Sequence, residues 1–202
     1  MNRERLMTAG WVCLWGVVLT IPLEIVRGVL VSKVGLPLSL FSPFIVLATT
    51  GLSLYVWYEL REMLNKTYHF ASADNAILGM ATLVLIWTAV NFFDFMVPQL
   101  RIGQHSSGVL LLFYVVTGVV RGVLGILLAT ELRRVEDAPQ SLKTFGVLSM
   151  ISGVMFCTVI LIPLAALVSV VAKIVLIYVF WETSEFYKYA VSTTPTQRTM
   201  TR

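Results

Sequence analysis

Two cations, Arg121 and Lys173, each stand deep inside a long apolar run and are the residues of this chain best placed to do chemistry. Neither has an acid three or four positions away, the spacing at which a helical ion pair forms. A charge at mid-bilayer costs about 2.5–3.5 kcal/mol on insertion scales, so an unpaired one is a candidate functional group. Their chemistry is recognition of an anion, since guanidinium offers a planar fork of donors and ammonium a compact point charge. Asp94, with Asn91 one turn deeper on the same face, and Thr49-Thr50 are further polar groups within apolar runs. Glu24 and Arg27, three apart, share a face and can neutralise each other.

Covalent, redox and metal chemistry find no comparable support. The two histidines, His69 and His105, fall in loops, so no intramembrane pair could ligate haem. No H-x-x-x-H, C-x-x-C, G-x-S-x-G or phosphate-loop pattern occurs. Asp74 reads as the N-cap of a helix, where a carboxylate accepts from free amides. Cys13 and Cys157 lie in apolar runs and read as small buried hydrophobes. The chain is therefore read as a non-enzyme without catalytic, cofactor or metal sites.

The elements carrying these residues follow from composition. Of 202 residues, 57% are hydrophobic and only 13% charged, against about 25% in soluble domains. A soluble enzyme, a secreted disulfide scaffold, a disordered chain and a nucleic-acid reader are all excluded on that balance. Six apolar segments emerge, roughly Leu6–Ile25, Leu38–Tyr58, Ala76–Val97, Gly108–Thr130, Phe145–Leu161 and Ala165–Trp181. The last two form one run that would be about 55 Å long as a single helix, against a hydrocarbon core of about 30 Å. Pro163 is the expected break. The fold class is thus all-α and polytopic, with six transmembrane helices as three serial hairpins. Five spans with a kinked last helix are the alternative.

Basic residues separate the two topologies. Six spans place ten Lys and Arg of the loops and ends on one side and three on the other. Five spans give seven against six. Both termini are therefore expected in the cytoplasm. Residues 1–191 form a single transmembrane domain, and 192–202 a short polar tail. Arg3 and Arg5 precede an apolar stretch as in a signal peptide, but no small-x-small cleavage site follows soon after, so the first helix reads as retained. The sequon at Asn65-Lys66-Thr67 falls on the cytoplasmic side and is discounted.

A weak repeat runs through the chain: helices two, four and six close on Glu59, Glu131 and Glu182, 72 and 51 residues apart. Arg121 and Lys173 each lie nine or ten residues before such a glutamate, and Thr49-Thr50 take that place in helix two. Leu60-Arg61-Glu62-Met63-Leu64-Asn65, then Phe70 and Asp74, resembles a segment of small uncharacterised bacterial polytopic membrane proteins. Thr158-Val159-Ile160-Leu161-Ile162-Pro163-Leu164 and the apolar helix after it are similar to the end of such chains. The resemblance implies a bacterial inner membrane and carries no activity.

Helical spacing sets the faces. Gly118, Arg121, Gly122 and Gly125 share a stripe, and Gly118-x-x-x-Gly122 is a small-residue packing motif, which aims Arg121 into a helix contact. Ser169 with Lys173, Thr49 with Ser53, and Thr88 with Asn91 and Asp94 form stripes on three other helices. Asp94 and Lys173 differ in depth by about 7–8 Å, within reach of an ion pair. Asp94 and Arg121 differ by about 15 Å, which leaves Arg121 to helix carbonyls, to Thr49 or Thr50, or to an anionic ligand.

Two functional readings result. The first is a non-enzymatic scaffold or accessory subunit, whose partners are the bilayer, another integral membrane protein or a second copy. The second is a small permease for an anionic solute or lipid, using Arg121 and Lys173. A lipid- or quinone-binding redox subunit comes third. A closed, dry bundle would favour the first reading, and a polar cavity reaching Arg121 the second. The topology is tested separately: a reporter fused after Arg202 is expected to be active only on the cytoplasmic side, and periplasmic activity would restore the five-span reading.

Overall fold

The structure, a computed structural model, describes the backbone of residues 3–33, 42–96, 106–135, 138–158 and 161–193, and side chains at 3–19, 44, 46–90, 112–113, 115–135, 138–158, 161 and 164–186. Among the described residues it is wholly helical: α1 (Arg3–Lys33), α2 (Ser42–Thr67), α3 (Asp74–Met96), α4 (Ser106–Leu132), α5 (Gln140–Cys157) and α6 (Ile162–Thr193). Two described stretches, Val115–Leu132 and Leu164–Phe186, are long and apolar enough by themselves to cross a membrane. Three expected boundaries move. The first helix runs past Ile25 to Lys33, and the last reaches Thr193, inside the segment read as tail. The break between the fifth and sixth helices precedes Pro163 rather than falling on it. Thr158 ends α5, its amide on the Val154 and Met155 carbonyls and its hydroxyl on Met155 at 2.7 Å. Pro163 then occupies the first turn of α6, where a missing N–H leaves no helical bond unmade.

Consecutive helices run antiparallel, and the contacts give their register. Arg61 meets Asp74 and Thr50 meets Thr88 between α2 and α3. Trp87 stacks on Phe113 between α3 and α4, with ring centroids 6.0 Å apart. Gly122 meets Gly153 between α4 and α5, and Ser152 meets Ser169 between α5 and α6. α1 then closes on α6: Arg3 reaches Glu185 at 3.5 Å, Trp181 covers Gly10, and the Cys13 thiol donates to the Lys173 carbonyl at 3.6 Å. The principal packing partners are therefore α1–α2, α2–α3, α3–α4, α4–α5, α5–α6 and α6–α1, a closed ring of six.

Large side chains plug the end of the ring that carries Arg3. Leu6, Leu60, Met63, Leu64, Ile77, Leu128, Leu132, Leu142 and Phe180 are all but inaccessible there. The three glutamates of the repeat sit at this end, Glu59 and Glu182 tying their helices to the preceding one and Glu131 tying α4 to the loop before α3. Glu59 accepts from Arg5 at 2.8 Å, Glu131 from Ser72 at 2.7 Å, and Glu182 from Ser141. Glu62 joins the first tie, accepting from both terminal nitrogens of Arg5 at 3.1 and 2.9 Å and from Lys66. Asp74 opens α3, but its carboxylate accepts from Arg61 at 2.7 Å and Asn65 at 3.0 Å, which makes it an α2–α3 clamp rather than the expected amide cap.

These ties set a pH dependence. Lys66 and Arg5 hold the Glu62 carboxyl at about 2, below its ordinary 4.5, and Arg61 lowers that of Asp74. A depressed native pKa contributes stability that is complete above the unfolded value and is lost as pH falls toward the folded one. The unfolding temperature in detergent is therefore expected to fall between pH 4.5 and pH 2. Glu62→Gln should be less stable at pH 7 and show a shallower acid slope; an unchanged slope would remove Glu62 from the account.

Candidate functional site: a cationic cavity

The ring encloses a cavity of about 550 Å³, and all six helices line it. Leu128, Phe145 and Leu176 belong both to the plug and to the lining, so they are its floor. Above them the lining mixes small and hydroxyl side chains with aliphatic and aromatic ones such as Leu83, Trp87 and Phe156. α5 presents Phe145, Ser149, Ser152 and Phe156, the helical spacing of one face.

Arg121, Lys173, Thr49 and Thr50 all line this cavity. The side chains of Asn91 and Asp94 lie outside the described residues, as do those of Glu24 and Arg27, so the expected Asp94–Lys173 pair does too. The small-residue stripe works differently from its sequence reading. Gly122 packs against α5, while Gly118 and Arg121 line the cavity. One residue on a helix turns the side chain by about 100°, enough to separate the contact face from the lumen face. Arg121 stacks on Phe156, 4.8 Å from the ring centroid. Among the described residues its guanidinium has no hydrogen-bond or acidic partner, and its exposed surface faces the cavity.

Thr50 is not that partner. Its hydroxyl meets Thr88 at 2.6 Å and the Val46 carbonyl at 2.7 Å. Thr49 donates to Val46 at 3.0 Å, Ser53 to Thr49 at 2.8 Å and Thr117 to Phe113 at 2.7 Å. Ser152 and Ser169 share the Ala165 carbonyl and each other. Most lumen hydroxyls are thus committed to the helices' own carbonyls. Ser149 is not: its hydroxyl has no partner among the described residues.

The Gly122–Gly153 and Ser152–Ser169 contacts place Lys173 about 9 Å closer to the floor than Arg121, by helical rise. The depths read from the sequence, with Arg121 the farther of the two from Asp94, set them in the opposite order. No acid is found among the described lining residues. Two cations without an acid in the described lining can hold an anion. Cys13 is buried and Cys157 partly buried, and both are free thiols.

Phe156, Ser149, Trp57 and Trp87 also line the cavity and were not singled out from the sequence. The spacing Phe145, Ser149, Ser152, Phe156 was the available signal, masked because α5 is apolar on its outer face as well. Comparison of the chain with family models, curated proteins and solved structures finds no match.

Contact between α4 and α5 sets the width of the cavity at Arg121. A Cβ on Gly122 would lie 2.6 Å from the Gly153 carbonyl oxygen, and one on Gly153 would lie 2.6 Å from that of Gly122. Backbone cannot yield as a side chain can, so either alanine must part the helices. Gly122→Ala and Gly153→Ala are expected to lose roughly 1–3 kcal/mol, read as a lower unfolding temperature in detergent. Gly51→Ala, where nothing lies within 4 Å, should not be destabilised. Equal behaviour of the three variants would contradict the close approach.

Proposed function

We propose that all six helices cross a bacterial inner membrane with both termini in the cytoplasm, and that the protein is a small, non-enzymatic permease for an anionic solute or lipid. Large apolar side chains exposed on the outside of every helix support the six spans. Trp15, Phe44, Leu85, Leu112, Ile151 and Leu167 are examples, up to 71% exposed at Phe44. An apolar surface of that extent belongs against lipid or a partner, not water. The ion pairs among the described residues gather at the end bearing Arg3, where a membrane–water boundary would leave them hydrated.

The observation that carries the function is Arg121 together with Lys173 in the cavity, without an acidic partner among the described residues. A scaffold arginine would be expected to spend its donors on a neighbouring helix. Here one ring, Phe156, holds the guanidinium by its face, which leaves the donor edge free for a carboxylate or phosphate.

Linkage provides the test. A ligand that binds only the folded protein raises its unfolding temperature. In neutral detergent, inorganic phosphate or phosphatidylglycerol is expected to stabilise the wild type and to stabilise Arg121→Met less. The variant should fold, because the guanidinium makes no hydrogen bond among the described residues. Equal shifts in both proteins, or none in either, would rule against an anion site at Arg121.

A further inference from the structure

The cavity has two unlike walls. On α4, α5 and α6 stand Arg121, Ser149 and Lys173, whose donors are uncommitted among the described residues. In a ring of six, α2 and α3 lie across from α5 and α6. They present Trp57, Met80, Leu83 and Trp87, and the hydroxyls between these are turned to their own backbone or to each other. Such a wall offers apolar surface and almost no free donor.

An inorganic oxyanion would satisfy the cationic wall and leave the opposite wall facing unfilled space. Apolar surface gains free energy only when apolar surface covers it. A neutral hydrocarbon would cover that wall and leave two cations unmatched. Only a ligand with both parts uses both walls, and a volume of about 550 Å³ falls within the range of small-molecule sites.

We propose that the lumen takes an amphiphilic anion: a carboxylate or phosphate head held by Arg121, Ser149 and Lys173, with an apolar body against Met80, Leu83 and Trp87. This rests on the anion-binding reading above and adds the apolar body. The depth difference between Arg121 and Lys173 suits a head lying between them, the guanidinium edge above and the ammonium below. Membrane lipids and free organic acids share this chemistry.

The test uses the full chain in phosphatidylcholine nanodiscs, with 11-bromoundecanoate as probe because bromine quenches nearby indole fluorescence. Saturable quenching is expected, reduced in amplitude by Trp87→Phe and weakened at least about tenfold in Kd by Arg121→Met, the scale of one lost charge-assisted contact. Lys173→Met gives a second reading should Arg121→Met fold poorly. Competition by phosphatidic acid in the disc would place the source in the lipid, and competition by water-soluble hexyl phosphate alone would place it in free organic anions; either supports the proposal. Stabilisation of the wild type by inorganic phosphate, lost in Arg121→Met, without saturable quenching would overturn the amphiphile and leave the anion site standing. Quenching that is equal and unsaturable in wild type and both cation variants would overturn the two together.

Discussion

Closure of α1 onto α6 is the constraint from which the rest of the molecule follows. Six helices in a ring, with neighbouring axes about 8–10 Å apart, leave at the centre the space of a seventh helix. That space must be filled, flattened or left open. At the end carrying Arg3 it is filled by leucine, methionine and phenylalanine, and the packing there is dry. Further along, glycine, serine and alanine are interspersed among the larger lining residues, and a cavity remains. The cavity is thus the continuation of the core with smaller residues.

The plug and the ties around it hold that ring together at one end. Arg5 bonds Glu59 and Glu62, Asp74 clamps α3 to α2, Glu131 holds the loop before α3, and Glu182 holds α5. Glu59 is wholly buried, so its charge is tolerable only because Arg5 meets it. A charge repeated at the end of alternate helices is thereby a hairpin fastener. The Gly122–Gly153 approach performs the opposite service near Arg121, bringing α4 and α5 together where no large residue intervenes.

Charge placement separates the two ends in function as well as in packing. Near the plug, cations and carboxylates are matched within hydrogen-bonding distance. In the cavity, two cations stand among the described residues without an acid, supported by an aromatic face and a free hydroxyl. An unmatched charge in a low-dielectric space keeps its full attraction for an incoming counter-ion, which is why the same energetic liability can serve as a binding site.

The all-helical class, the six apolar segments and the unusual standing of Arg121 and Lys173 were legible in the sequence, because periodicity and apolar length are local properties. So was the grouping of Thr49, Ser53, Thr88, Ser169 and Lys173 on inward faces, since helical spacing determines which residues share a side. The tertiary structure decided what those sides meet. Gly122 and Arg121 are neighbours in the chain, yet one packs on α5 and the other enters the lumen, a division that depends on where α5 lies. Thr50 could have served Arg121 but serves Thr88, because register between α2 and α3 brings the two hydroxyls to 2.6 Å. Glu59 and Arg5 are 54 residues apart and carry no mark of their pairing. Ring closure is the deepest of these decisions: only when α1 meets α6 does a set of apolar helices acquire an inside with two cations in it.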